Sequence, residues 1–126
     1  MATEERHNIK VRTFETGATR DADDTKPDYE GYLSPLAIAA FGRYMTAHRL
    51  QSDGSLRASD NWQKGIPPEQ YLKSAFRHFI EWWTFHRCAS FVGLDGIDTD
   101  VEESLCGLLF NVMGYLHEYE KKHAVH

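Results

Sequence analysis

Apolar residues recur at helical spacing in three stretches of the chain, and nowhere do they alternate convincingly with period two. The first stretch, from about 35 to 48, carries Leu36, Ile38, Ala39, Phe41, Tyr44 and Met45. Ser34 suits its N-cap and Pro35 its first helical position. The second, from about 68 to 87, opens at Pro67-Pro68 and places Leu72, Phe76, Phe79, Ile80 and Trp83 on one stripe. Tyr71, Ala75, Trp82 and Phe85 widen that surface beyond what one neighbour covers, which points to contact with another subunit. The third runs from about 100 to 120, with Leu105, Leu108, Leu109, Val112, Leu116 and Tyr119 as its core side. The pattern predicts an all-α, oligomeric helical bundle over residues 34–120, an irregular N-terminal arm over 1–33 and a flexible tail over 121–126.

The arm is polar and holds no sustained period; TGATRDADDTKPD reads as loop. Residues 49–67 form a long loop marked by Asp53-Gly54, Asp60-Asn61 and Gly65, and loops of that length in a small domain are often functional. A second loop, 88–98, joins the last two helices.

Composition changes the picture in two ways. A length of 126 residues fits one domain, and 41% hydrophobic residues with three Trp and seven Phe can supply a core. The net charge of −5 disfavours non-specific nucleic-acid binding, yet an acidic protein still binds an anionic nucleotide when metal ions lie between them. No apolar run approaches the ~20 residues of a membrane span, and MATEERHNIK holds no secretory signal. Cys88 and Cys106 have no metal-type spacing, so a reduced, cytoplasmic setting is the simplest expectation.

The candidate chemistry lies in four motifs: KPDYEGYLSP at 26–35, DNWQKG at 60–65, RHFIEWW at 77–83 and DVEESLCGLLFNVMGYLHE at 100–118. Glu81, Glu102 and Glu103, with Asp98 and Asp100 just before the last pair, offer the hard oxygen ligands that suit Mg²⁺ or Mn²⁺. Each has a plainer role open to it. Glu81 follows Arg77 by four residues and lies nearly opposite the apolar stripe, as an exposed ion-paired residue does. Thr99 and Glu102 match a capping box, which leaves Glu103 the better ligand of its pair. His78 is a ligand, proton shuttle or phosphate contact, or else a hydrogen-bonded structural residue. Asn111 shares a face with Glu103 and Gly107 and needs a partner if buried, in substrate or in protein. Arg20, Lys26, Lys64 and Arg77 are phosphate-neutralising candidates or solvated surface charges. Trp62 either stacks on a base or anchors its loop, and Asn61 stands beside it in the same motif. Phosphate-loop, dinucleotide-binding, H-E-x-x-H and G-x-S-x-G signatures are missing, and no His-Asp dipeptide occurs.

In order and spacing, Lys26-Pro27, Leu33-Ser34-Pro35, Asn61-Trp62-Gln63-Lys64-Gly65, Arg77-His78 and Asp100-Val101-Glu102-Glu103 resemble the phage-associated dATP/dGTP diphosphohydrolase family, a distant MazG-like group that includes the MazZ proteins. The resemblance spans roughly residues 16–120. It implies a MazG-like helical fold, dimeric or tetrameric, that cleaves a purine deoxynucleoside triphosphate to the monophosphate and pyrophosphate. It also implies two or three Mg²⁺ or Mn²⁺ ions, which neutralise the triphosphate and activate the attacking water. The wider group holds its metal with E-x-x-E and E-x-x-D pairs. Here His78 replaces the leading Glu before Glu81, and Cys106 stands where Asp is expected after Glu103, which leaves Asp100, Glu102 or Glu30 to supply further oxygens. By this resemblance Glu81 and Glu103 hold metal, and Lys26 and Arg77 stabilise charge on the phosphates. The competing expectation is a non-catalytic helical nucleotide-binding or protein-interaction module, on the ground that the metal pairs are incomplete.

Overall fold

The computed structural model describes residues 10–22, 25–88 and 100–124. Contacts divide the chain into two compact units, Met1–Ser34 and Pro35–His126.

The first unit departs from the irregular arm that its polar sequence predicts. Strands β1 (Lys10–Thr13) and β2 (Thr19–Ala22) pair antiparallel, from Lys10 opposite Ala22 to Thr13 opposite Thr19. The hairpin closes where the Phe14 N–H donates to the Ala18 carbonyl at 2.8 Å, and Gly17 supplies the positive φ of 88° that the turn requires. Strands of four residues are too short for a period-two signal to stand out. A single helical turn, α1 (Tyr29–Tyr32), follows, capped by Asp28, whose Oδ1 accepts from the Gly31 N–H at 3.1 Å.

The second unit is helical. It comprises α2 (Pro35–Ala47), a 3₁₀ turn (Asn61–Lys64), α3 (Pro68–Arg87) and α4 (Val101–His123). Proline at the first position opens both α2 and α3, where a missing N–H costs nothing. The loop before the 3₁₀ turn doubles back on itself: Leu50 bridges Leu56, and Gly54 turns the chain at φ 87°. Asp100 caps α4, accepting from the Glu103 N–H at 2.8 Å. Its partner in the expected capping box, Thr99, lies outside the described residues, as does Asp98. The helix also runs three residues into the stretch expected to be flexible tail. Lys121, Lys122 and His123 are helical, and the His123 Nδ1–H donates to the Tyr119 carbonyl at 2.7 Å.

Helix α4 packs against both α3 and α2. Its buried face is Ser104, Cys106, Gly107, Asn111 and Gly114, and Ser104, Gly107, Asn111 and Gly114 recur at spacings of three and four. Small residues there let α3 approach closely. A Cβ at Gly107 would fall 2.7 Å from the His78 ring, and one at Gly114 would overlap the Tyr71 ring. The residues that α3 turns inward are therefore Tyr71, His78 and Glu81.

This inverts the expected core. Leu72, Phe76, Phe79 and Trp83 are exposed, Phe76 by 62%. On α4, Leu105, Leu109, Val112, Leu116 and Tyr119 are exposed as well, while Leu108 is half-buried. Ile80 of the same stripe is half-buried, and Tyr71, expected to widen the apolar surface, is buried on the side of Glu81. Close backbone approach at the glycines decides which face of α3 meets α4. The apolar stripes are left facing outward.

Candidate functional site

The inward turn of α3 holds the strongest arrangement of titratable groups. Glu81 is only 4% exposed, which overturns the expected surface pair with Arg77. Its partner is instead His78, one turn earlier, whose Nδ1–H donates to Glu81 Oε1 at 3.1 Å. Gly107 makes room for that imidazole, because any side chain there would occupy the space the ring fills. Arg77 itself is exposed.

Tyr44 of α2 identifies what surrounds this couple. Its phenol is pushed above the ordinary tyrosine value, first by burial, next by Glu103 and Cys106; Arg77 pulls the other way, and Glu81 adds a smaller upward push. Tyr44, Arg77, Glu81 and Glu103 thus share one electrostatic neighbourhood, contributed by all three long helices. Of the four carboxylates expected to hold metal, Glu81 and Glu103 belong to it. Glu102 reaches Arg43 of α2 at 3.6 Å, and Asp100 caps α4. Among the described residues no group of three His, Cys, Asp or Glu side chains is placed to grip a metal ion.

Asn111 is buried, and its partner is protein: Nδ2 donates to the Gly107 carbonyl at 2.7 Å. Trp62 is held edge-on by α4, with ring centroids 4.9 Å from His117 and 6.2 Å from Phe110. It anchors the 3₁₀ turn and at the same time walls a cavity. Asn61 beside it is half-buried, and Lys64 is exposed. Arg20, opposite Arg12 in the hairpin, and Lys26 are exposed residues of the first unit.

The cavity behind Trp62 went unseen in the sequence. It measures about 300 Å³ and lies among Tyr44, His48, Arg49, Arg57, Trp62 and Phe110. The Arg49 Nε–H donates to the Arg57 carbonyl at 2.7 Å, and the Arg57 N–H returns a bond to the Arg49 carbonyl at 2.8 Å. The one available signal was Asp53-Gly54 between Leu50 and Leu56, a turn dipeptide that folds the two arginines onto one another. Gly107 and Gly114 likewise marked the face of close approach.

Both cysteines are free thiols, Cys88 exposed and Cys106 buried. Burial raises the Cys106 thiol above its ordinary value, with Glu102 next in effect. Among the described residues, no helix is long and apolar enough to cross a membrane. Comparison with protein-family models, with curated proteins and with solved structures gave no match to this chain.

Proposed function

We propose that this chain is a metal-dependent nucleoside triphosphate pyrophosphohydrolase that converts dGTP, dATP or both to the monophosphate and pyrophosphate. The observation that carries the reading is the buried Glu81 carboxylate, bonded by His78 in the seam between α3 and α4, while the Tyr44 phenol feels Glu81 together with the exposed Glu103 and Arg77. Among the described residues no arginine or lysine pairs with that carboxylate, and a buried charge without such a partner is costly, a cost met most often at functional positions.

The donor set suits Mg²⁺ or Mn²⁺. Such ions take one or two carboxylates and complete their shell with water and substrate phosphate. Glu81 and Glu103 would hold them, with Asp100 and Glu102 as further oxygens if their present partners release them. When bound, the metal supplies charge neutralisation and acidifies a coordinated water. His78 fixes the rotation of the Glu81 carboxylate. Arg77 and Lys64 supply positive charge for the phosphates, and Asn61 and Trp62 border the base. The outward stripes of α3 and α4 support a MazG-like homodimer or homotetramer, because exposed apolar patches of this kind mark association surfaces. We place the protein in the cytoplasm, that of the host if it is phage-encoded.

A second reading is a non-catalytic helical nucleotide-binding or interaction module. The incomplete metal grip among the described residues favours it. Product analysis separates the two: protein with Mn²⁺ or Mg²⁺ and each dNTP, resolved by ion-exchange chromatography. Monophosphate plus pyrophosphate is the expected result. Diphosphate plus phosphate, or nucleoside plus triphosphate, overturns the bond assignment, and no product from any nucleotide overturns the enzyme.

A further inference from the structure

Packing alone does not account for Ser104 on the buried face of α4. The residue is 0% exposed, and its hydroxyl has no hydrogen-bond partner among the described residues. Close helix approach asks only for a small side chain there. Alanine would supply one, with a better helix propensity and no polar atom to bury. Two other helical hydroxyls show the usual local remedy. Thr46 Oγ1 donates to the Gly42 carbonyl and Thr84 Oγ1 to the Ile80 carbonyl, each at 2.8 Å and one turn back. The corresponding carbonyl for Ser104 belongs to Asp100, and it accepts the Ser104 N–H at 3.0 Å but not the hydroxyl.

The register of the seam says what this hydroxyl faces. Tyr71 lies against Gly114 and His78 against Gly107, so seven residues forward on α3 run seven residues back on α4. Three more in the same direction set Glu81 opposite Ser104, and both are buried. A carboxylate has about four lone-pair directions. His78 uses one of them, on Oε1. When a carboxylate holds metal, the groups that bond its remaining directions fix its orientation and bear strongly on metal affinity.

We propose that Ser104 is a positioning residue of the seam, whose hydroxyl is the second hydrogen-bond donor to Glu81 and completes, with His78, the hold on that carboxylate when it takes a divalent cation. The inference rests on the reading of Glu81 as a metal ligand, and adds to it a residue that touches neither metal nor substrate. A serine hydroxyl suits the task. It turns about a single side-chain bond, and it brings no charge of its own into a dry seam. Keeping it there at a loss of stability is the ordinary trade of stability for function.

The test is Mn²⁺ binding to the full chain, read from the electron paramagnetic resonance of the free ion, with thermal melts in EDTA. The proteins are the wild type, Ser104→Ala, Tyr71→Phe and Glu81→Gln. Ser104→Ala is expected to weaken Mn²⁺ binding by about tenfold to a hundredfold, the usual effect of losing a group that orients a metal ligand. Its melting temperature in EDTA should hold or rise. Tyr71→Phe removes the other unpartnered hydroxyl of the seam, beside Gly114 rather than Glu81. It should match Ser104→Ala in the melt and leave Mn²⁺ affinity unchanged, so only a role at Glu81 separates the two variants. Unchanged affinity in Ser104→Ala, where Glu81→Gln abolishes binding, overturns the inference and keeps the metal reading. A melting temperature that falls with affinity in Ser104→Ala, or an equal loss of affinity in Tyr71→Phe, makes the serine structural and overturns the inference as well. No Mn²⁺ binding by the wild type overturns both. Weakened binding in Ser104→Ala, in a protein that releases no pyrophosphate from any dNTP, keeps the role of Ser104 and overturns the enzyme.

Discussion

The two faces of α3 make opposite use of similar raw material. The outward face holds Leu72, Phe76, Phe79 and Trp83, all of them exposed. The inward face holds Tyr71, His78 and Glu81, and meets a strip of small residues on α4. Hydrophobicity alone would have chosen the other arrangement. What decides it is fit: rings settle over Gly107 and Gly114, where no side chain stands between them and the α4 backbone. Within one chain, a pair of glycines placed seven apart outweighs a stripe of large apolar residues. The stripe is then free to serve an assembly, while the seam can hold a carboxylate and an imidazole away from water.

The contrast can be broken from either side. The largest effect is expected at Gly114, where valine would force the Tyr71 ring out of its seat. Overpacking of this sort usually costs about 1–3 kcal/mol, and a β-branched side chain against an aromatic ring belongs at the upper end. Gly114→Val should lower the denaturation midpoint accordingly in urea, and an unchanged midpoint would mean that α3 does not seat there. Next comes the outward face. Phe76→Asp together with Trp83→Asp should leave the helical circular dichroism intact but convert an oligomer to monomer in analytical ultracentrifugation. A variant that unfolds instead would assign those residues to a monomer core.

Smaller effects sharpen the account of the seam itself. The Tyr71 phenol is 2% exposed, and its oxygen has no hydrogen-bond partner among the described residues. An unpaired buried hydroxyl costs about 1–3 kcal/mol, so Tyr71→Phe should be neutral or stabilising in thermal melts. The smallest test is chemical. At pH 8, iodoacetamide should modify Cys88 well before Cys106, because burial both shields the Cys106 thiol and holds it protonated. The sign follows from linkage: a thiol raised in the folded state contributes stability below its unfolded value, and loses it as pH climbs through the folded one. Comparable labelling rates on mass spectrometry would show that the α4 face opens readily.

The sequence carried the helices well and their facing poorly. Pro35, Pro67 and Pro68 punctuate helix starts by a local rule, and α2 and α3 lie within a residue of their expected ends. The facing of α3 depends on glycines on another helix, so a wheel drawn for α3 by itself cannot settle it. For the same reason Glu81 read as exposed, and its i,i+4 neighbour Arg77 looked like the natural partner. The pairing of Glu81 with His78 follows only once the seam closes over both. The hairpin of the first unit was hidden by strands too short to show a period. The cavity is assembled from residues as far apart as Tyr44 and Phe110, with arginines aligned by a loop bridge, so no local pattern announces it. Asn111 was legible as a residue in need of a partner, and the Gly107 carbonyl is that partner.

The central claim is that the buried carboxylate of the seam is there for chemistry. It is tested most directly by pyrophosphate release from dGTP and dATP with Mn²⁺, in the wild type and in Glu81→Gln, with a thermal melt of each protein. An amide preserves the shape and can still accept from His78, while removing a charge whose burial is unfavourable. The account predicts that turnover falls to background while the melting temperature holds or rises. Wild-type turnover in the variant, or a melting temperature that drops along with activity, would make Glu81 a structural residue and contradict the claim.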